Sequence, residues 1–449
     1  MLSVGQEMRS IKLSFWGLLL GLTALWWMAD LWVVMPATFG SWRASFIYFT
    51  GIVGIGVMSV ALMLAVRPVA LEPLLGGLDK MYRLHKWLGI CALVMVTLHW
   101  LGKQLPGWLV DLGWMARPVR AHSPEPVAPI FKWLNSQRGL AEGLGEWAFY
   151  ATVLLIVLAL VKWFPYRLFF KTHRLLAAGY LILVFHSVVL MKYHYWGTLL
   201  GLVTVLLMLG GSAAAVVILF RRVGLSRRAV GIVQKLTYHA PVRVLEVAIQ
   251  IRGRWQGHES GQFVFVTFDA REGAHPFTIS TAWSGDGFMT FLIKDLGDYT
   301  RVLPQSVKVG DPVKIEGPYG QFNFNSPRPR QIWVGGGIGI TPFVARLEEL
   351  KALSSDQPVD LFYATASPYK LAIHKLMRLA REARVTLHVL VEAQDGRLTA
   401  QRICELVPDW QTGDIWFCGP VEFGHALQND FAARGLAGQN FHEELFDMR

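Results

Sequence analysis

Four histidines in the first half of the chain form two pairs, and each pair brackets one apolar segment. His85 and His99 lie 14 residues apart in HKWLGICALVMVTLH, and His173 and His186 lie 13 residues apart in HRLLAAGYLILVFH. A histidine inside a membrane segment is costly and therefore indicates a function. At 1.5 Å per residue, the members of a pair are separated by roughly 20 Å along the helix axis, so each lies in its own leaflet. Four histidines at matched depths predict axial ligands for two stacked haems and an electron path across a bilayer.

The two histidines of a pair occupy different relative positions around the helix in the two segments. A separation of 14 residues returns a helix to within about 40° of the same face, so His85 and His99 project together. A separation of 13 residues leaves His173 and His186 about 140° apart, so their helix must tilt, distort locally or present two faces. A buried polar residue bonded to a neighbouring helix is the alternative for a single histidine. Two register-matched pairs favour ligands.

The composition indicates a membrane protein with a polar second half. Of the 449 residues 53% are hydrophobic, with 18 Trp and 26 Phe, and the charged residues concentrate after the first half. Apolar runs predict six spans, of which the third and fifth are short and carry the histidines. The first run is long and no small-residue cleavage site follows it, which favours a span over a signal peptide. The predicted spans are 13–34, 46–66, 84–101, 147–164, 173–191 and 197–219.

Basic residues near the span ends predict the orientation. They fall in four clusters on one side, which should be cytoplasmic together with both termini, and the loop 102–145 then lies outside. The clusters are Arg9 and Lys12; Arg67, Lys80, Arg83 and Lys86; Lys162, Arg167, Lys171 and Arg174; and Arg221, Arg222, Arg227 and Arg228. They largely explain the net charge of +11, which we do not interpret as nucleic-acid binding. The three cysteines supply neither a disulfide framework nor a cysteine metal site.

The second half reads as two soluble domains. Short alternating runs between 242 and 320 predict a small antiparallel barrel. From Gln331 onward, buried strands alternate with helices, which predicts an open parallel sheet. The predicted fold class is therefore a six-span α-helical membrane bundle, an antiparallel β-barrel and an α/β nucleotide-binding fold. The predicted domains are residues 1–225, 226–329 and 330–449.

A barrel followed by a nucleotide fold is similar to the ferredoxin–NADP reductase superfamily. With the six-span, four-histidine half, the chain resembles the ferric reductase and NADPH oxidase family over nearly its whole length. The resemblance implies two haems b, with His85 and His173 on the inner one and His99 and His186 on the outer one. It also implies that NADPH or NADH passes hydride to FAD in the cytoplasm and that electrons then reach an acceptor outside. The expected location is a bacterial inner membrane or a plasma membrane.

Two groups of residues resemble the family's flavin site. His275-Pro276-Phe277-Thr278-Ile279-Ser280 resembles the flavin-binding strand, with Phe277, Thr278 and Ser280 as candidate flavin contacts and His275 where relatives often carry an arginine for the pyrophosphate. As bare sequence, HPFTIS could be any strand after a proline turn. Companion turns that let backbone amides approach phosphates are expected at Gly297 and Thr300 of LGDYT and at Gly317 and Tyr319 of GPYG.

A third group resembles the nicotinamide site. A glycine-rich loop follows a strand and opens a helix, so that backbone can approach a pyrophosphate closely. Its residues are Gly335, Gly336, Gly337, Gly339, Thr341 and Pro342. In Phe417-Cys418-Gly419-Pro420, Cys418 is expected against the nicotinamide ring, with an inert buried cysteine as the alternative. Phe446 resembles the aromatic residue that covers the flavin until nicotinamide displaces it, although three residues follow it here. A core phenylalanine in a last strand is its alternative.

The sequence leaves the electron acceptor open. Ferric chelates or other metal ions compete with dioxygen, which would give superoxide, and with a quinone or periplasmic redox protein. Oxidase members tend to carry a histidine where this chain has Lys103, which weighs against the oxidase. Thr365 and Ser367 stand near the expected ribose site without a clear acid or arginine, so NADH and NADPH are both possible. Two rival functions are a membrane-anchored flavin reductase that serves a partner protein or quinone and a transporter whose histidines relay protons.

Overall fold

A computed structural model describes residues 7–32, 36, 38–115, 128–161, 163–353 and 357–444. Their contacts define two compact units, described separately below. One unit holds residues 11–68 and 82–223, and the other holds 69–81, 224–449 and the first ten residues. The predicted fold class is confirmed, because the described residues form apolar membrane helices, an antiparallel sheet and a parallel sheet. The three domain boundaries given above stay a prediction.

Helices account for most of the first 223 residues. In chain order they are α1 Glu7–Ala29, α2 Phe39–Ala65, α3 Glu72–Leu75, α4 Leu78–Asp111, α5 Pro129–Ser136, α6 Arg138–Leu160, α7 Tyr166–His173, α8 Leu175–Leu190 and α9 Leu199–Leu219. Within the described part of the chain, six segments are long and apolar enough to cross a membrane: α1, α2, α4, α6, α7 together with α8, and α9. The predicted number of spans is therefore confirmed.

Two of the predicted spans differ in detail from the structure. The third was expected to be short, but α4 has 34 residues and extends beyond the apolar run at both ends. Lysine, arginine and glutamine suit a helix while lowering hydropathy, so an apolar window detects only the middle of α4. The fifth breaks at Arg174, between α7 and α8, which meets the expectation that this helix distorts locally.

The barrel consists of six antiparallel strands. They are β1 Arg228–His239, β2 Val244–Arg252, β3 Phe263–Thr267, β4 His275–Thr278, β5 Phe288–Lys294 and β6 Pro312–Tyr319, with α10 Asp298–Ser306 between the last two. The strand order is β4-β3-β6-β1-β2-β5, and a bridge between Ile279 and Phe291 joins the two outer strands. Strand β1 was not predicted. Its inward residues include Ala229 and Gly231, whose small side chains give a weak alternating signal.

The last domain is a parallel sheet with helices on both faces. Its strands are β7 Arg330–Gly336, β8 Val359–Thr365, β9 Thr386–Val391, β10 Gly413–Cys418 and β11 Phe441–Glu443. Its helices are α11 Thr341–Leu350, α12 Lys370–Glu382, α13 Glu392–Asp395, α14 Ala400–Leu406 and α15 Val421–Ala433. The strand order β11-β10-β7-β8-β9 reverses direction between β7 and β10. Ligands of such sheets bind at the carboxyl ends of the strands at this switch point.

Candidate functional site

The structure brings the four histidines of the membrane unit together as two facing pairs. The ring centroids of His85 and His173 are 5.8 Å apart, and their planes make an angle of 70°. The centroids of His99 and His186 are 6.2 Å apart, with an angle of 74°. Two imidazoles bound on opposite sides of a metal at about 2 Å have centroids about 6 Å apart. The spacing of both pairs therefore fits axial ligation of one iron each.

Backbone carbonyls orient three of the four rings. The Nδ1 atoms of His85, His99 and His186 lie 2.8, 2.9 and 2.8 Å from carbonyl oxygens. The acceptors are the carbonyls of Ala61, Ile47 and Ala141, in that order. A carbonyl only accepts, so each Nδ1 carries the proton and Nε2 keeps its lone pair for a metal. Sequence reasoning did not reveal these partners.

Packing orients His173, the fourth histidine. Its ring stacks on Phe169 at 5.0 Å, and its Nδ1 has no hydrogen-bond partner among the described residues. The described residues also contain no cluster of three or more His, Cys, Asp or Glu side chains that could hold a metal ion. The iron of a haem needs only two side chains from the protein, because the porphyrin supplies its other ligands. The two histidine pairs therefore fit haem iron.

Two glycines leave room for the rings of the second pair. A Cβ atom at Gly145 would lie 2.0 Å from Nδ1 of His186, and one at Gly51 would lie 3.3 Å from the ring of His99. Gly145 lies in α6, on the same helix as the carbonyl of Ala141. Sequence reasoning missed both glycines, because a glycine in an apolar helix is an ordinary packing residue.

The predicted flavin strand is β4, and its first residue has an unexpected environment. The His275 ring stacks on Tyr299 with centroids 4.0 Å apart. Burial lowers the pKa of His275 to about 4. This imidazole is therefore neutral near pH 7 and does not supply the positive charge that an arginine would bring to a pyrophosphate. Thr278 is buried, and the Ser280 hydroxyl donates to the carbonyl of Thr290 at 2.9 Å.

The companion turns take two forms. LGDYT is the start of helix α10, where the Thr300 hydroxyl accepts from the amide of Gly297 at 3.1 Å. A nine-residue helix that starts here suits a phosphate, although the Thr300 hydroxyl itself is used in the cap. At the end of β6, Gly317 has φ +149, and a Cβ there would lie 2.9 Å from Val264. Tyr319 is buried and its hydroxyl lies 3.0 Å from Glu316 Oε1.

The glycine loop and the Cys418 turn meet at the switch point of the parallel sheet. A Cβ at Gly339 would lie 2.2 Å from the carbonyl oxygen of Cys418, and one at Gly336 would lie 2.9 Å from Cδ of Pro420. Only glycine permits this approach of the two loops. Gly335 and Gly419 flank the same contact, and α11 begins at Thr341-Pro342. Cys418 is fully buried at the end of β10.

A cavity of about 770 Å³ opens beside these loops. This volume is within the range of cofactor pockets. Its wall includes Gly336, Gly337, Thr365, Ser367 and Pro420. It also includes charged residues that sequence reasoning did not assign: Glu246, Lys294, Lys375, Glu392 and Arg397. The residues fit a nicotinamide dinucleotide, because the wall combines glycines of the loop before α11 with polar and charged side chains.

We predict that Gly337→Val abolishes NAD(P)H oxidation while flavin and haem stay bound. Gly337 has φ +58 and lines the cavity, so a branched side chain would strain the backbone and project toward the pyrophosphate position. Steady-state NAD(P)H oxidation and the visible spectrum of the purified variant measure both quantities. Unchanged turnover would remove this loop from the site.

The predicted aromatic cover Phe446 lies outside the described residues. Strand β11 ends at Glu443, and Glu444 is the last described residue.

Two family models match parts of the chain. Residues 50–184 match the family described as "Ferric reductase like transmembrane component", and residues 233–323 match "FAD-binding domain". The resemblance predicted from the sequence is confirmed, because a ferric-reductase-like transmembrane component precedes an FAD-binding domain. The chain is an integral membrane protein that carries an FAD-binding domain.

Two of the curated relatives are a reductase subunit and an electron transfer component. The chain is 24% identical to the glycine betaine monooxygenase reductase subunit of Chromohalobacter salexigens, over 41% of this chain and 55% of that protein. It is 27% identical to the toluate 1,2-dioxygenase electron transfer component of Pseudomonas putida, over 41% and 58%. The chain thus spans about half the length of these relatives. A solved flavohemoglobin from Malassezia yamatoensis aligns with 88% of this chain and 94% of its own at 16% identity and a TM-score of 0.47.

Proposed function

We propose that this protein is an NAD(P)H-dependent flavin oxidoreductase that moves electrons from cytoplasmic NAD(P)H, through FAD and two haems b, to an acceptor on the outer face of the membrane. The proposal is supported by the two pairs of facing imidazole rings. The ring centroids are 5.8 Å apart in one pair and 6.2 Å apart in the other. A membrane-anchored flavin reductase or a proton transporter would not need two such pairs. We further propose that residues 1–225, 226–329 and 330–449 are the haem, FAD and nucleotide domains.

In this proposal His85 and His173 hold the inner haem and His99 and His186 hold the outer haem. Bound FAD exchanges hydride for single electrons, and bound haem carries one electron at a time. Because both imidazoles of a pair would bind the same iron, no iron position would be left for a ligand from solution, which suits electron transfer. The carbonyls of Ala61, Ile47 and Ala141 keep three rings aimed at the metal.

At the nucleotide end, the glycine loop and the 770 Å³ cavity would bind NAD(P)H. In this proposal the nicotinamide lies at the end of β10, against the buried Cys418. Burial, reinforced by Glu444 and Glu443, raises the pKa of the Cys418 thiol well above its usual value. Cys418 therefore stays a neutral thiol and contributes by packing and shape. It does not act as a thiolate nucleophile.

At the outer end, a cleft beside His99 and His186 is lined by Lys103, Glu142 and Glu146. The Lys103 ammonium lies 3.3 Å from the Glu142 carboxylate at the rim. We propose that the acceptor approaches here and is a ferric chelate or dioxygen. The positive-residue clusters support a cytoplasmic location for both termini, in a bacterial inner membrane or a plasma membrane.

The acceptor is tested by steady-state NAD(P)H oxidation with oxygen and with ferric chelates, with superoxide dismutase as a control. Because Lys103 replaces the histidine expected of an oxidase, we expect faster turnover with ferric chelate under anaerobic conditions than with oxygen alone. Dismutase-sensitive dye reduction at the full NAD(P)H oxidation rate would instead identify an oxidase. Turnover only with an added partner protein or quinone would favour the anchored flavin reductase.

A further inference from the structure

The connector between α2 and α4, residues 69–81, belongs to the same compact unit as the FAD- and NAD(P)H-binding module. It contains the short helix α3 and the start of α4. Leu75, Leu78 and Met81 are buried, and the hydroxyl of Ser10 donates to the carbonyl of Leu75 at 3.4 Å. Such burial shows that the connector is a packed part of the module.

Two hydrogen bonds join the connector to opposite flanks of the module. The Glu72 carboxylate accepts from the amide of Gly320 at 3.1 Å, at the end of the GPYG turn. The Lys80 ammonium donates to the carbonyl of Glu443 at 2.8 Å, at the end of β11. The connector therefore links the barrel turn to the last strand of the parallel sheet.

A buried cluster of charged groups lies at the second of these bonds. Lys80 and Asp79 form an ion pair at 2.9 Å, and their side chains are only 8% and 4% exposed. The Glu444 carboxylate is also buried, and neither of its oxygens has a hydrogen-bond partner among the described residues. Lys80 thus pairs with Asp79, and the buried Glu444 carboxylate has no bonded counter-charge among the described residues. A buried carboxylate without full compensation favours its protonated form.

The pKa of Glu444 reflects this arrangement. Burial raises it to about 8, Asp79 raises it as well, and Lys80 opposes both. Among the described residues, Asp79 and Lys80 act on Glu444 electrostatically, and Glu443 and Glu444 both act on the neighbouring thiol of Cys418. Glu444 therefore changes its charge close to physiological pH, and the two connector residues act on it in opposite directions.

Glu444 lies next to the expected hydride-transfer position. Phe417 of β10 pairs with Glu443 of β11, and the amide of Glu444 lies 3.4 Å from the carbonyl of Phe417. Glu444 is therefore beside Cys418 in the neighbouring strand. When a nicotinamide at Cys418 loses hydride, its ring changes from neutral to positive. A negative carboxylate fixed nearby stabilises that developing charge, whereas a protonated carboxyl group does not.

We propose that Asp79 and Lys80 are positioning residues for hydride transfer, which set the charge and the location of Glu444 beside Cys418. The connector between the second and third spans thereby controls how fast NAD(P)H reduces the flavin. This inference rests on the proposed function only in placing the nicotinamide at Cys418. Hydride leaves the nicotinamide with both of its electrons, so Glu444 neither gains nor loses a proton in that step.

The test is the rate of flavin bleaching by NAD(P)H, measured anaerobically in single turnovers of the full-length protein as a function of pH. In the wild type we expect the rate to rise with pH through the pKa of about 8, as Glu444 ionises. Lys80→Met should move the midpoint to higher pH, and Asp79→Asn should move it to lower pH. A shift of about one unit changes the rate at neutral pH about tenfold, downward for Lys80→Met.

Three further variants make the result decisive. Lys80→Arg keeps the charge and should restore the wild-type midpoint. Lys351→Met removes a surface ion pair with Glu382 at 2.8 Å and should leave the profile unchanged. Asp79→Asn serves as the independent arm if Lys80→Met does not fold. Wild-type midpoints in all variants, or shifts in the same direction for Lys80→Met and Asp79→Asn, would overturn the inference. Failure of NAD(P)H to reduce the flavin at any pH would instead overturn the proposed function.

Discussion

Replacement of either His99 or His186 by alanine should remove the same haem and leave the other haem in place. These two rings face each other at 6.2 Å, and their carbonyl partners, Ile47 and Ala141, differ from the partner of His85, which is Ala61. The haem content should therefore fall from two per chain to one in each variant. Flavin reduction by NAD(P)H should persist, whereas electron transfer to an outer acceptor should be lost. Haem quantification and reduced-minus-oxidised spectra of the purified variants measure this result.

His194→Ala is the matched control for these variants. His194 is another histidine of the membrane unit, and its Nε2 lies 3.3 Å from the carbonyl of Ala29. Its replacement should leave both haems bound. If His99→Ala and His186→Ala lose spectrally different haems, the pairing is wrong.

Gly145→Val should expel the outer haem without changing any ligand. A Cβ at this position would lie 2.0 Å from Nδ1 of His186, so the ring must leave its place and its bond to the carbonyl of Ala141. Moving a side chain more than about 30° from its preferred rotamer costs roughly 1 kcal/mol. A His186 ring displaced in this way would also no longer point at the iron, so the affinity for the haem should fall. We expect a loss of outer haem comparable to that in His186→Ala, measured by the same haem assay.

Gly143→Val provides the control for this prediction. Gly143 lies in the same helix α6, and a Cβ there meets no atom within 4 Å. Gly143→Val changes the intrinsic helix propensity of α6 as Gly145→Val does, but it creates no clash, so both haems should stay bound. Equal haem loss in the two variants would mean that the helix, not the space beside His186, is sensitive. Full haem retention in Gly145→Val would contradict the assigned ring position.

The sequence was sufficient to predict features that depend on local pattern. Hydropathy gave the number of spans, and alternating and buried runs gave most strands of both sheets. The glycine loop and the Cys418 turn were predicted separately, and topology explains why they meet: parallel strands β7 and β10 are neighbours and end at the same edge of the sheet.

Other features of the site depend on contacts that leave no local pattern. The carbonyl partners of the histidines are backbone atoms, so any residue type could supply them. Lys80 and Glu443 are separated by 363 residues in the chain, so no local pattern connects them. Lys80 also lies in a basic loop, where a lysine is read as a marker of the cytoplasmic side of the membrane. The phosphate turn at Gly297 and Thr300 stays a prediction, whereas the bond in which the Thr300 hydroxyl accepts from the amide of Gly297 at the start of α10 was not foreseen.

The most direct test of transmembrane electron transfer is anaerobic addition of NAD(P)H to the purified full-length protein, with flavin and haem absorption followed together. Our account predicts a haem Soret band in the oxidised protein, bleaching of the flavin band, and then reduction of both haems with no added partner. A preparation from haem-replete cells that lacks the Soret band, or haems that stay oxidised beside a fully reduced flavin, would contradict it.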